Sequence, residues 1–149
     1  MSSSTLRFLV SSSLLVVLAL GCVEKSPDFG GAKLSDVRLT QKPSPSHPLD
    51  IRFGEHVRLL GYDVSVSEVV PDKPFTVTWH WQVDKPLGEG WDVFTHAGDA
   101  SNHSRLNLDA TRVMRKLHPP SRWKAGEFIK DPQEITLPST WGSKAVGFF

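Results

Sequence analysis

Cysteine is nearly absent from this chain of 149 residues, Cys22 being the only one. A chain exported to an oxidising compartment needs at least two thiols for a disulfide, so no bridge braces this fold and the lone thiol serves another purpose. A charge excess of either sign is also missing. There are 17 Lys plus Arg against 16 Asp plus Glu, and Arg7 is the only charged residue before Cys22, which leaves the rest formally neutral. Nucleic-acid binders draw affinity from neutralised phosphates and show a basic stripe or excess, so no nucleic-acid partner is expected. The six histidines are scattered, not clustered as a pH switch would require. There is no Gly-Xaa-Ser-Xaa-Gly elbow, no recognised metal-ligand spacing and no internal repeat. These absences exclude no class outright, but they point away from an enzyme, and no cofactor or metal is expected.

What is present begins with the N-terminus. Met1 to Gly21 opens with Ser2, Ser3, Ser4 and Thr5, carries one cation at Arg7 and then runs apolar from Phe8 to Leu20. That is the three-part plan of an export signal. Ser11, Ser12 and Ser13 interrupt the run, which falls short of the ~20 apolar residues a membrane-spanning helix needs. The boundary reads Leu18-Ala19-Leu20-Gly21-Cys22. Small Gly21 directly before Cys22 resembles the lipobox of bacterial lipoproteins, although Ala19 and Leu20 stand in swapped order relative to that family's usual pattern. The competing reading is an ordinary secretory signal cut after Gly21, with Cys22 a stray thiol. The lipobox resemblance implies that residues 1–21 are removed and that Cys22 receives fatty acyl chains, of which about two are needed for stable anchoring. It also implies a cell-envelope location outside the cytoplasm. Val23 in place of Asp implies the outer membrane, facing the periplasm or the cell surface.

From Val23 to Leu49 the chain is rich in Ser, Pro, Gly, Lys and Asp, with Gly30-Gly31 and the run Pro43-Ser44-Pro45-Ser46-His47-Pro48. Little apolar surface can be buried there, so residues 22–49 read as the lipidated cysteine and a disordered tether. Leu34, Val37 and Leu39 form the one short apolar pattern within it and suggest a docked edge segment.

Residues 50–149 read as the domain, roughly 100 residues with a small core. Strands are expected at Ile51–Phe53 and within Val57–Val66, around Gly54 and Gly61. The clearest is Phe75–Val83, where Phe75, Val77, Trp79, Trp81 and Val83 share one face and Thr76, Thr78, His80 and Gln82 the other. Further strands are expected at Trp91–Ala97, Glu134–Leu137 and Ala145–Phe149. A short helix within Asn107–Leu117 is stopped by His118-Pro119-Pro120. Short strands between Pro and Gly turns give an all-β fold, an antiparallel sandwich.

Val57-Arg58-Leu59-Leu60-Gly61-Tyr62-Asp63, Trp79-Xaa-Trp81, Val93-Phe94-Thr95-His96, Ser121-Arg122-Trp123-Lys124-Ala125-Gly126-Glu127 and Ile135-Thr136-Leu137-Pro138 resemble an uncharacterised bacterial β-sandwich domain. That domain occurs in small lipoproteins and, in a similar form, appended to membrane glycosyltransferases. The resemblance covers roughly Phe53 to Phe149 and implies an immunoglobulin-like or jelly-roll sandwich outside the cytoplasm, with no reaction and no catalytic residues to carry over. Such domains usually continue past the strand ending here at Gly147-Phe148-Phe149, so a C-terminally truncated version is expected.

Five tryptophans offer stacking platforms for sugars. Trp79 and Trp81, on the apolar face of their strand, are expected in the core. Trp91, Trp123 and Trp141 lie beside turns and are the candidate ligand contacts. His96, Asp99 and His103 would bind a metal only if the chain turned to converge them; Ala97–Asn102 reads better as a hairpin turn capped by Asp and Asn. Asp92 and Glu127 are a conceivable acid pair for sugar hydrolysis, and Arg105 and Asp109 are expected to form a surface ion pair or loop hydrogen bonds. The expected role is a lipid-anchored, non-enzymatic module binding an envelope glycan or a partner protein. An assembly component of the envelope is the second reading, and an enzyme built on His96, Asp99 and His103 the last.

Overall fold

A computed structural model of the chain describes residues 31–99, 101, 104–109, 113–143 and 145–149. Cys22, His103 and the signal segment lie outside the described residues.

Two antiparallel sheets form a sandwich. Its framework is β4, Pro74–Val83, whose alternation is realised in space: Phe75, Val77, Trp79, Trp81 and Val83 are all buried. On one flank β4 pairs with β3, Val57–Val64, which pairs in turn with β2, His47–Phe53. On the other it pairs with β7, Phe128–Thr136, which carries the two-residue β1, Arg38–Leu39. The order is β1-β7-β4-β3-β2. The second sheet has the order β6-β5-β8, with β5 at His96–Gly98, β6 at Arg105–Asn107 and β8 at Gly147–Phe148. The sheets meet through side chains such as Trp79 and Phe148, whose rings stand edge to face with centroids 5.3 Å apart. A single α-helical turn and a half, α1 at Val113–Leu117, is held by the fully buried Met114. No helix among the described residues is long and apolar enough to cross a membrane.

Three expectations are corrected. Residues 34–49 do not form a tether. Leu34–Asp36 makes a 3-10 turn, Val37 is fully buried, and the Pro-Ser run leads into β2. The reason is Gly61. It has φ of 149°, and a Cβ placed there would lie 2.6 Å from Pro45 Cγ and closer still to the carbonyl oxygen of His47. Only a residue without a side chain lets this stretch approach β3 so closely. The ladder bulges on both sides of the contact, between Leu59 and Gly61 and between Pro48 and Ile51. Ser46 then donates its amide and hydroxyl to Asp63 Oδ1, both at 2.7 Å, while Asp63 Oδ2 lies 2.7 Å from His80 Nε2.

The expected strand at Trp91–Ala97 shrinks to its end, because side chains take the backbone groups a ladder would use. Thr95 N–H donates to Asp109 Oδ1 at 3.0 Å, and the Arg115 guanidinium donates to the Val93 carbonyl. The strand expected at Glu134–Leu137 starts six residues earlier, at Phe128, and runs through Pro132. Its inward positions are Ile129, Asp131, Gln133 and Ile135, all buried, and two of them are polar, which hides the alternation.

Candidate functional site

The three strands on one side of the large sheet put apolar residues in register. Ile51 of β2 is opposite Leu59 of β3, and Leu59 is opposite Trp81 of β4, so one row of large side chains crosses the inner face. Phe53 packs tilted on Trp81 at 5.7 Å. Of the small sheet, Phe148 of β8 lines the space over this row. The connection after β4 swings across its end. Asp84 and Lys85 donate their amides to the His56 carbonyl at 2.8 and 3.0 Å, and His56 Nδ1 lies 2.8 Å from the Pro86 carbonyl. That hitch sets Leu87 and Trp91 opposite Ile51 and Phe53, with Trp91 5.9 Å from the His56 ring.

The result is a cleft of about 490 Å³ between the sheets. Its inner walls are Val57, Leu59, Trp79, Trp81 and Trp123; its far side is Val93, Phe94, Phe148 and Phe149; Asp92 and Thr95 are the polar residues on it. Large apolar side chains stand exposed at its rim: Ile51, Phe53, Trp91, Phe94 and Phe149, the last three more than half exposed at 54, 65 and 60 %. The indole N–H groups of Trp79 and Trp81 are buried and have no acceptor among the described residues. Pockets of this size and lining suit small, largely apolar molecules.

The rim is braced by Arg115 from α1. Its guanidinium binds the Val93 carbonyl, lies 2.9 Å from Asp92 and 4.0 Å from Asp109, and sits 5.5 Å from the centroid of Phe94. Arg105 of β6 lies 5.2 Å from the centroid of Phe149. Arg105 does not pair with Asp109, which makes the loop hydrogen bonds that were the other expectation: it accepts the Thr95 amide at 3.0 Å, donates its own amide to Asn107 Oδ1 at 2.7 Å, and lies 4.0 Å from Arg115.

Of the three tryptophans singled out by sequence, Trp91 stands at the mouth of the cleft. Trp123 is 1 % exposed, forms part of its wall and donates its indole N–H to the His118 carbonyl at 2.8 Å. Trp141 is buried and does not line the cleft. Trp79 and Trp81 are core residues, as their period indicated, and also walls of the cleft. Sequence reasoning missed Ile51, Phe53, Phe94 and Phe149. The available signal was the alternation Ile51-Arg52-Phe53, an apolar face with no apolar partner assigned to it.

The polar candidates are engaged elsewhere. Asp99 accepts from the amide and hydroxyl of Ser101 at 2.9 and 2.7 Å and from the Gly142 amide at 2.7 Å. Burial raises its pKa, but these bonds and one from the Ser143 amide outweigh it and hold the carboxyl below its ordinary value. The His96 ring packs 5.6 Å from Phe149. Among the described residues no group of three or more His, Cys, Asp or Glu converges as a metal site.

Asp92 and Glu127 lie on different cavities. Glu127 borders a more open depression of about 530 Å³ beside Arg38 and Leu39. It is buried, 2.9 Å from His118 Nε2 and 2.9 Å from Arg38 Nε, and accepts the Lys124 amide at 3.1 Å. Burial pushes its carboxyl up, while the His118 and Lys124 hydrogen bonds and the His118 and Arg38 charges more than offset this and hold it down. It ties β1 to the start of β7 and is not paired with a second acid.

Comparison of the chain with protein-family models, with curated proteins and with solved structures finds no match.

Proposed function

We propose that this chain is a non-enzymatic binding module of the cell envelope, anchored by acyl chains on Cys22, whose cleft takes a small, predominantly apolar ligand. The observation that carries the reading is the open, tryptophan-walled cleft with five large apolar side chains exposed around it. Exposed apolar surface of this extent on a soluble domain commonly marks a binding site. A sugar fits it less well than an apolar molecule does. Glycan hydroxyls need polar groups at the rim, and of the two polar lining residues Asp92 is ion-paired with Arg115 and Thr95 is buried.

The assembly reading would rest on an open edge at the last strand, β8, which ends the small sheet but pairs over only two residues; the longer edge is β2, whose seven residues are all exposed. Pro48, the bulge after it, and the charges of Asp50 and Arg52 are features that discourage edge-to-edge pairing, so the cleft is favoured.

The test is titration with N-phenyl-1-naphthylamine, a neutral apolar fluorophore, using the full chain with Cys22→Ser so that no acyl group of its own competes. We expect saturable enhancement at micromolar probe. Leu87→Trp, which fills the cleft from a half-buried position on the loop, should weaken binding about tenfold by removing the space. Absence of saturable binding, or binding unaffected by Leu87→Trp in a folded protein, would refute the proposal.

A further inference from the structure

Resting on the cleft reading above, we infer that the ligand is an anionic single-chain amphiphile, its aliphatic tail in the cleft and its acidic head at Arg105. Two rings at the rim carry a cation. Over Phe94 that cation is Arg115, whose charge is met by Asp92 at 2.9 Å and Asp109 at 4.0 Å and whose N–H groups already serve the Val93 carbonyl. Over Phe149 it is Arg105, exposed on β6 and making no ion pair among the described residues. The acids nearest along the chain are committed: Asp99 to Ser101 and Gly142, Asp109 to Thr95 and Arg115. Among the described residues, the guanidinium beside Phe149 therefore has no carboxylate partner, and it stands next to a cleft whose walls are aromatic and aliphatic.

These two properties define the class of ligand. An aliphatic chain gains from leaving water in proportion to its apolar area, and a carboxylate or phosphate at its end meets a guanidinium fork suited to it. The orientation follows from solvation. An anionic head buried against the neutral Trp79 and Trp81 N–H groups would lose its water without a counter-charge, whereas at Arg105 it keeps both. A cationic amphiphile of the same length is disfavoured at the same point.

The experiment is displacement of N-phenyl-1-naphthylamine from the full chain with Cys22→Ser by decanoate, decanol and decyltrimethylammonium, each below its aggregation limit, near pH 8. Arg105→Gln and Arg105→Lys are compared in the same background; the position is exposed, so neither should disturb folding. The expected result is that Arg105→Gln weakens decanoate about fivefold, as loss of one charge-assisted contact at a surface would. Decanol should change less than twofold, decyltrimethylammonium should not weaken, and Arg105→Lys should retain most of the decanoate affinity. Equal losses for decanoate and decanol, or no loss for decanoate, would overturn the assignment of the head while leaving the cleft reading intact. Failure of the fluorophore itself to bind would sink the cleft reading. A parallel sedimentation with phosphatidylglycerol vesicles separates a membrane surface from a single ligand. Arg105-dependent vesicle binding without displacement by monomeric decanoate would mean that the rim docks on a bilayer, and would overturn the single-chain ligand.

Discussion

Asp63 shows how one carboxylate joins two parts of the chain. Its pKa is lowered from 3.8 to about 2, chiefly by the Ser46 amide and then by the Ser46 hydroxyl; burial opposes this, and His80 adds a hydrogen bond and charge. The folded value is thus depressed below the unfolded one. The stabilisation is present in full above pH 3.8 and is lost as pH falls from 3.8 towards 2. Because the Asp63 side chain is 42 % exposed, solvent screening reduces its worth to about 1 kcal/mol. We therefore expect Asp63→Asn to lower the unfolding free energy at pH 7 by that amount, read from urea denaturation, and the gap to the wild type to close as pH falls through about 2. A gap that persists unchanged at pH 2 would show that the charge of Asp63 is not what holds Ser46.

At the scale of elements, the stretch before β2 depends on a residue in β3. Gly61→Ala places a methyl group against Pro45 and the His47 carbonyl in a backbone conformation, φ 149°, that a side chain rarely adopts. The cost should be about 2–3 kcal/mol, read as a lower urea midpoint. The Ser46 amide, bonded to Asp63 at 2.7 Å, should exchange its hydrogen faster. Wild-type exchange at Ser46 together with wild-type stability would mean that the stretch does not press on Gly61. The same contact explains why residues 34–49 read as a tether: composition registers how few apolar residues a segment has, not that a glycine elsewhere admits its backbone. β4 was legible because its apolar residues alternate without exception. β7 was only half legible, since Asp131 and Gln133 occupy inward positions where the pattern expects hydrophobics. Residues 91–95 have the composition of a strand, yet Asp109 and Arg115, from elements beyond, take the backbone groups that a ladder would need. Trp91 was legible as a site residue from its turn context. The cleft around it was not, because its walls come from β2 to β4, the following loop, Trp123 and β8, and only the pairing of sheets brings them together.

For the whole molecule, the proposed binding cleft and the proposed anchor lie in separate parts of the chain. Every residue lining the cleft lies between Ile51 and Phe149, whereas the proposed anchor is Cys22. From Cys22 to Leu34, where the 3-10 turn begins, the chain can span at most ~40 Å at full extension, which would keep the domain close to a membrane. Two acyl chains give stable attachment because each buried methylene contributes about 0.8 kcal/mol, while the described domain supplies no spanning helix. Replacing the thiol should thus change where the protein is and leave what it binds untouched. We expect wild-type protein to take up labelled palmitate and to sediment with membranes. Cys22→Ser protein should lose the label and bind N-phenyl-1-naphthylamine with the affinity of the delipidated wild-type domain. Unlabelled wild-type protein in the soluble fraction would remove the anchor and leave the cleft reading standing. Labelled wild type whose fluorophore affinity rises several-fold on delipidation would instead show that its own acyl chain competes for the cleft, and that the two parts are not independent.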